Sequence, residues 1–147
     1  MTPSNDDRFW KFIALIEGNG WSDSTSSVSA LTTELAKADE TTIFWFQETL
    51  AQKLHALDTR AHYKKLIWKS GSADPFLYKR LSIVAQGQAY YEKFLAAPFW
   101  PRRWPTDWLE TLYYVAQDAY LHKTGNEMLF EASVSPESYH NKEGWLS

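Results

Sequence analysis

Residues 39–57 read DETTIFWFQETLAQKLHAL, and this stretch decides the fold. Ile43, Phe44, Phe46, Leu50, Leu54 and Leu57 recur at helical spacing and build one broad apolar face. Asp39, directly ahead of the pattern, is a good N-cap, because a short carboxylate can accept an orphan N–H of the first turn. The spacing predicts a long helix that Asp58-Thr59 breaks or bends.

The same logic extends both ways along the chain. A first helix is expected from Asp6 or Asp7 to Gly18, with Phe9, Trp10, Ile13 and Ile16 as its apolar stripe and Gly18-Asn19-Gly20 as its stop. A polar loop, Ser22–Ser27, leads into a second helix carrying Val28, Leu31 and Leu35. Beyond Asp58-Thr59 a fourth helix carries Tyr63, Leu66 and Ile67, closed by Ser70-Gly71-Ser72. Asp74-Pro75 combines a capping carboxylate with proline at the first helical position, opening a helix with Phe76, Leu77, Arg80, Leu81 and Val84 that ends at Gly87. A short helix with Tyr90, Tyr91, Phe94 and Leu95 follows, and Pro98, Pro101 and Pro105 impose an extended, Trp-rich connection. Thr106 or Asp107 caps a last helix with Leu109, Leu112, Tyr113, Ala116 and Tyr120, stopped by Gly125. The remainder reads as a weakly structured tail that docks through Trp145. Strand signals are scarce and no solenoid period is present. The expectation is a single all-α domain over residues 1–147, an irregular bundle of about six to seven helices with its core in about residues 6–130.

Composition agrees with a packed domain. Of 147 residues 44% are hydrophobic and 16% aromatic, with eight Trp, eight Tyr and eight Phe. Rings of that number can hold a few helices together, and a surplus favours a contact surface. The absence of cysteine excludes a disulfide scaffold, a thiolate zinc site and a cysteine nucleophile. No signal-peptide pattern and no apolar run near the roughly 20 residues of a membrane helix occurs, so a cytoplasmic setting without membrane contact is expected. The formal net charge of −3 disfavours nonspecific nucleic-acid binding. Lys64-Lys65…Lys69 and Arg102-Arg103 read as solvated helix or loop positions.

Candidate chemistry is sparse. His55, Asp58 and His62 have the three- and four-residue spacing that lets Asp58 approach both imidazoles on a continuous helix, the pattern of a metal-ligand set. The break near Thr59 works against that geometry, no further ligand is identifiable, and surface or capping roles are favoured. Arg80 could clamp an anion at the helix that Asp74 opens, but a capping Asp74 and an Arg80 paired with a carboxylate elsewhere is the simpler account. Asp6-Asp7 and Asp39-Glu40 lie at helix starts, where they suit the macrodipole. His122 and His140 have no recognisable partner. No catalytic residue, metal ligand or cofactor-binding residue is assigned. The loop Phe99–Trp108 carries three Trp and two Arg among rigidifying prolines, the residue types favoured at binding hot spots. Trp100, Arg102, Arg103, Trp104 and Trp108 are therefore the candidate partner-binding residues, against the alternative that these rings merely cover the end of the bundle.

Several stretches resemble domain-of-unknown-function family 4240, an uncharacterised bacterial family. They are Arg8-Phe9-Trp10, Gly71-Ser72-Ala73-Asp74-Pro75-Phe76 with Arg80, Gly87 with Tyr91, and Tyr114-Val115-Ala116 with Ala119-Tyr120 and Gly125. The resemblance spans roughly residues 7–127. Pro75 departs from the second acidic residue often found there, and Lys65 and Trp68 stand where small residues are usual. The Pro-Trp loop is also longer than the pattern. The resemblance implies an α-helical fold and a bacterial cytoplasmic setting, and no activity.

Size, charge and the lack of catalytic motifs point to a non-enzymatic protein-binding module. One concrete form is an immunity or antitoxin-type protein whose acidic balance suits a basic partner such as a nuclease toxin. The competing reading is a small enzyme or metal- or ligand-binding protein using His55, Asp58 and His62. Self-association into a homo-oligomer is compatible with either.

Overall fold

The computed structural model describes residues 5–16, 25–67, 73–101 and 109–146. Eight α-helices occur among them, in an all-α bundle: α1 (Asn5–Ile13), α2 (Thr25–Lys37), α3 (Glu40–Ala56), α4 (Arg60–Leu66), α5 (Ala73–Ala85), α6 (Gln88–Ala96), α7 (Val115–Thr124) and α8 (Lys142–Leu146). A 3-10 helix, Glu110–Tyr114, leads into α7. No strand forms among the described residues.

α3 forms where its pattern places it. The Asp39 carboxylate accepts the Thr42 N–H at 2.8 Å, satisfying one of the first-turn donors. Ile43, Phe46, Leu50 and Leu54 are buried, and they meet Phe9 and Ile13 of α1, Leu31 and Leu35 of α2, Phe76 and Leu81 of α5, and Phe94 of α6 in one core. α2 lies on α7, and α3 on both α5 and α7. Each such aliphatic or aromatic side chain contributes roughly 1.5–3 kcal/mol on full burial, so the bundle needs no metal or disulfide to close.

Differences from expectation lie at helix ends and in the tail, where α8 adds one short helix to the six or seven expected. α1 stops at Ile13 and turns through Ile16 rather than continuing to Gly18; residues 17–20 lie outside the described residues. α5 begins at Ala73, so Asp74 sits within its first turn instead of ahead of it. The last helix is entered through the tighter 3-10 turn, and its expected caps Thr106 and Asp107 lie outside the described residues. Gly125 ends α7 at φ 75°, the left-handed conformation expected of a glycine C-cap.

The bend between α3 and α4 positions everything that follows. Leu57 closes α3, Thr59 caps α4 by accepting the His62 N–H at 3.1 Å, and Asp58 lies between the two helices. The tail beyond Gly125 has no regular structure until α8. It follows α3 in the same direction, Ser133 bonding Glu48 and Asn141 reaching the His55 carbonyl.

Candidate functional site

The helical spacing of His55, Asp58 and His62 does not bring the three together. His55 Nδ1 meets the Ser135 carbonyl at 3.0 Å. His62, on the next helix, turns Nε2 to the Phe94 and Leu95 carbonyls at 3.2 Å each and Nδ1 to the Thr59 hydroxyl at 2.6 Å. With Nε2 donating, Nδ1 accepts the Thr59 proton, which is the arrangement of a neutral imidazole. Burial lowers the His62 pKa against the raising effect of those two carbonyls. Among the described residues no group of three or more His, Asp or Glu side chains could hold a metal. The bend at Asp58 is the reason: it puts His62 on a different helix axis from His55.

Asp58 is instead the centre of a buried polar junction. It is 0% exposed, and its carboxylate accepts four bonds from the tail. Oδ1 takes the Tyr139 N–H at 2.9 Å and the Trp145 indole N–H at 2.8 Å, while Oδ2 takes the His140 and Asn141 N–H groups at 2.8 Å each. Tyr139 has φ 70°, and this left-handed residue turns successive N–H groups inward as an anion nest. Arg80 is also 0% exposed. It donates to the Leu54 carbonyl at 2.8 Å, to the Pro136 carbonyl at 3.0 Å and to the Ser138 hydroxyl at 3.0 Å, and its guanidinium lies 4.5 Å from the Phe76 ring. Burial lowers its pKa to about 10, with Asp58 as the main opposing charge, so it remains a cation at neutral pH. Arg80 is thus neither an anion clamp at a helix start nor the direct partner of a carboxylate. It holds the tail's backbone.

Around this junction Tyr63, Phe76, Tyr139 and Trp145 pack edge to face or stacked, with Tyr139 and Trp145 ring centres 4.9 Å apart. Sequence reading singled out Asp58, Arg80 and Trp145 but missed Pro136, Ser138 and Asn141. The signal available was the cluster of turn-forming residues, Ser135-Pro136 and Asn141, ahead of a lone Trp.

A groove lies on the outside of the same region, between α4, the segment Pro98–Pro101 and α8. It has a volume of about 680 Å³, and its lining includes Arg60, Lys64, Lys65, Pro98, Trp100 and Gly144. Trp100 is 53% exposed, and Lys65 Nζ stands 4.7 Å from its ring centre. Arg60 also bonds the Trp145 carbonyl at 3.0 Å, tying α8 to the groove wall. No carboxylate lines the groove among the described residues. Of the candidate binding residues only Trp100 falls within the described set; Arg102, Arg103, Trp104 and Trp108 lie outside it. Lys65, placed on a solvated face by the sequence, faces Trp100 here. A second groove, between α1 and α2, is lined by Arg8, Lys11, Phe12 and Leu15 among others and holds about 550 Å³.

Among the described residues no helix is long and apolar enough to cross a membrane. No curated protein and no solved structure matches this chain. A family described as "Protein of unknown function (DUF4240)" matches residues 5–122. That span takes in α1 to α7 almost entire, with Asp58, Arg80 and Trp100 inside it, and the chain belongs to this family.

Proposed function

We propose that this chain is a non-enzymatic protein-binding module whose contact surface is the Trp100 groove. The observation that carries the reading is the half-exposed Trp100 ring with Lys65 over it, beside Lys64 and Arg60. A Trp anchor with an Arg beside it is the composition that binding hot spots favour, and the two lysines add charge that steers a partner. The lining selects an acidic partner segment, whose carboxylates would meet three cations and, among the described residues, no competing carboxylate. With a net charge of −3 the chain lacks the extended basic surface that nucleic-acid binding needs, whereas a short acidic protein segment needs only the local cations of the groove.

The immunity or antitoxin form of this reading keeps a bacterial toxin as partner but changes what that partner presents. Overall acidity favoured a basic toxin surface; the groove favours an acidic one. The enzyme reading has less support, because His55, Asp58 and His62 each serve a different structural partner.

The test is a pull-down of the tagged chain from its native cells, at low and high salt, beside Trp100→Ala and the double variant Lys64→Glu/Lys65→Glu. One stoichiometric partner that salt weakens and both variants lose is the expected result. A partner retained equally by Trp100→Ala overturns the groove as the contact surface. If the partner is a toxin, its activity falls when the wild-type chain is added and not when the Trp100→Ala chain is.

A further inference from the structure

Asp58 and Arg80 both lie within the family-matched span of residues 5–122, yet most of their hydrogen-bonding partners lie beyond it. A buried carboxylate and a buried guanidinium are costly unless their bonding capacity is filled. In this chain the tail fills it, and does so as a ligand would. It offers main-chain N–H groups from three successive residues, one main-chain carbonyl, one hydroxyl and one indole N–H. Main-chain groups of this kind are available from any peptide that adopts the same turn.

We propose that the Asp58–Arg80 junction is a peptide-binding site that the tail occupies in cis and that accepts the same turn from a separate protein chain. The ligand class is a peptide with a hydroxyl residue, a left-handed turn residue next to it, and a Trp shortly after, matching Ser138, Tyr139 and Trp145. Two further observations favour exchange over permanent attachment. The tail reaches the site through an irregular segment in which Glu127, Leu129 and Glu131 are exposed, Leu129 at 91%. The site is also not saturated by its own tail: among the described residues, Arg80 Nε is buried without a hydrogen-bond partner. A peptide bringing one more carbonyl or carboxylate oxygen to that donor would bind better than the tail does. Because an empty site would strand both charges, the site passes from one occupant to another and is not left vacant. Displacing the tail also removes Gly144 from the wall of the Trp100 groove, so occupancy here alters that surface.

The experiment uses the full chain with a protease recognition sequence inserted after Glu131, cut after purification. The probe is a fluorescently labelled synthetic peptide of residues 133–147. The nicked protein is expected to keep its helical circular dichroism and to take up the probe saturably, whereas the uncut protein takes up at least about tenfold less. A competitor peptide with Trp145→Phe, which keeps an aromatic ring but lacks the indole N–H, should compete about tenfold or more weakly than the wild-type peptide. No uptake over several days, or equal competition by the Trp145→Phe peptide, would each overturn the proposal and make the tail a fixed part of the core.

Discussion

Asp58 and Arg80 are joined through the tail and not by an ion pair: Asp58 accepts the N–H groups of Tyr139, His140 and Asn141, and Arg80 donates to the Pro136 carbonyl and the Ser138 hydroxyl. The two charges thereby grip opposite ends of one short turn. Removing either leaves the other's field unbalanced and strands several polar groups in the interior. Asp58→Ala orphans four donors at once, and it should destabilise the chain by about 3 kcal/mol or more. Ser138→Ala removes one partner of a guanidinium and should cost about 1–2 kcal/mol. Urea denaturation of both variants measures the contrast, and equal effects would show that the carboxylate is not the dominant tie.

His62 makes stability depend on pH. Burial lowers its folded pKa below the ordinary value of 6.5, so the folded state resists the proton that the unfolded chain accepts. Its contribution is therefore fully present above pH 6.5 and is lost as the pH falls towards the lower folded value. His62→Gln should flatten that part of the profile. Thermal melts of wild type and variant from neutral to mildly acidic pH would show their difference shrinking as the pH falls; a constant difference would mean that His62 does not titrate as described.

Gly144 opposes helix propensity to close packing. Alanine is favoured over glycine inside a helix by about 1 kcal/mol, but a Cβ here would stand 2.8 Å from both the Asp58 carbonyl oxygen and Thr59 Cγ2. The backbone carbonyl cannot give way cheaply, so overpacking of about 1–3 kcal/mol prevails. Gly144→Ala should loosen α8 and speed amide exchange at residues 139–146, with little change in α3.

Two glycines separate by conformation. Gly125 sits at φ 75°, ψ 4°, where asparagine is tolerated, so Gly125→Asn should cost well under about 1 kcal/mol. Gly87 caps α6 at φ 101°, ψ 174°, a region that is essentially glycine-only, and Gly87→Asn should cost about 1–3 kcal/mol. Among the described residues neither position has a tertiary neighbour close enough to meet a Cβ, so side-chain crowding does not confuse the comparison of the two melting curves.

Local pattern was enough to specify the interiors of α1 to α7 and the core they share. The spacing of Ile43, Phe46, Leu50 and Leu54, the Asp39 cap and the Gly125 stop are local signals, read from neighbours within a turn or two, and each was realised. The same spacing rule does not extend to His55, Asp58 and His62, because the bend that Asp58-Thr59 signals sends side chains of matching period to different places. What Asp58 and Arg80 do is set by long-range packing. Their partners lie from 26 to 87 residues away along the chain and are mostly main-chain groups or hydroxyls. Backbone donors and acceptors are the same in every residue, so no pattern of side chains announces which of them a buried charge will find. The exposure of Trp100 and the approach of Lys65 to its ring are likewise set by how α4 and the proline segment pack, a choice that composition leaves open.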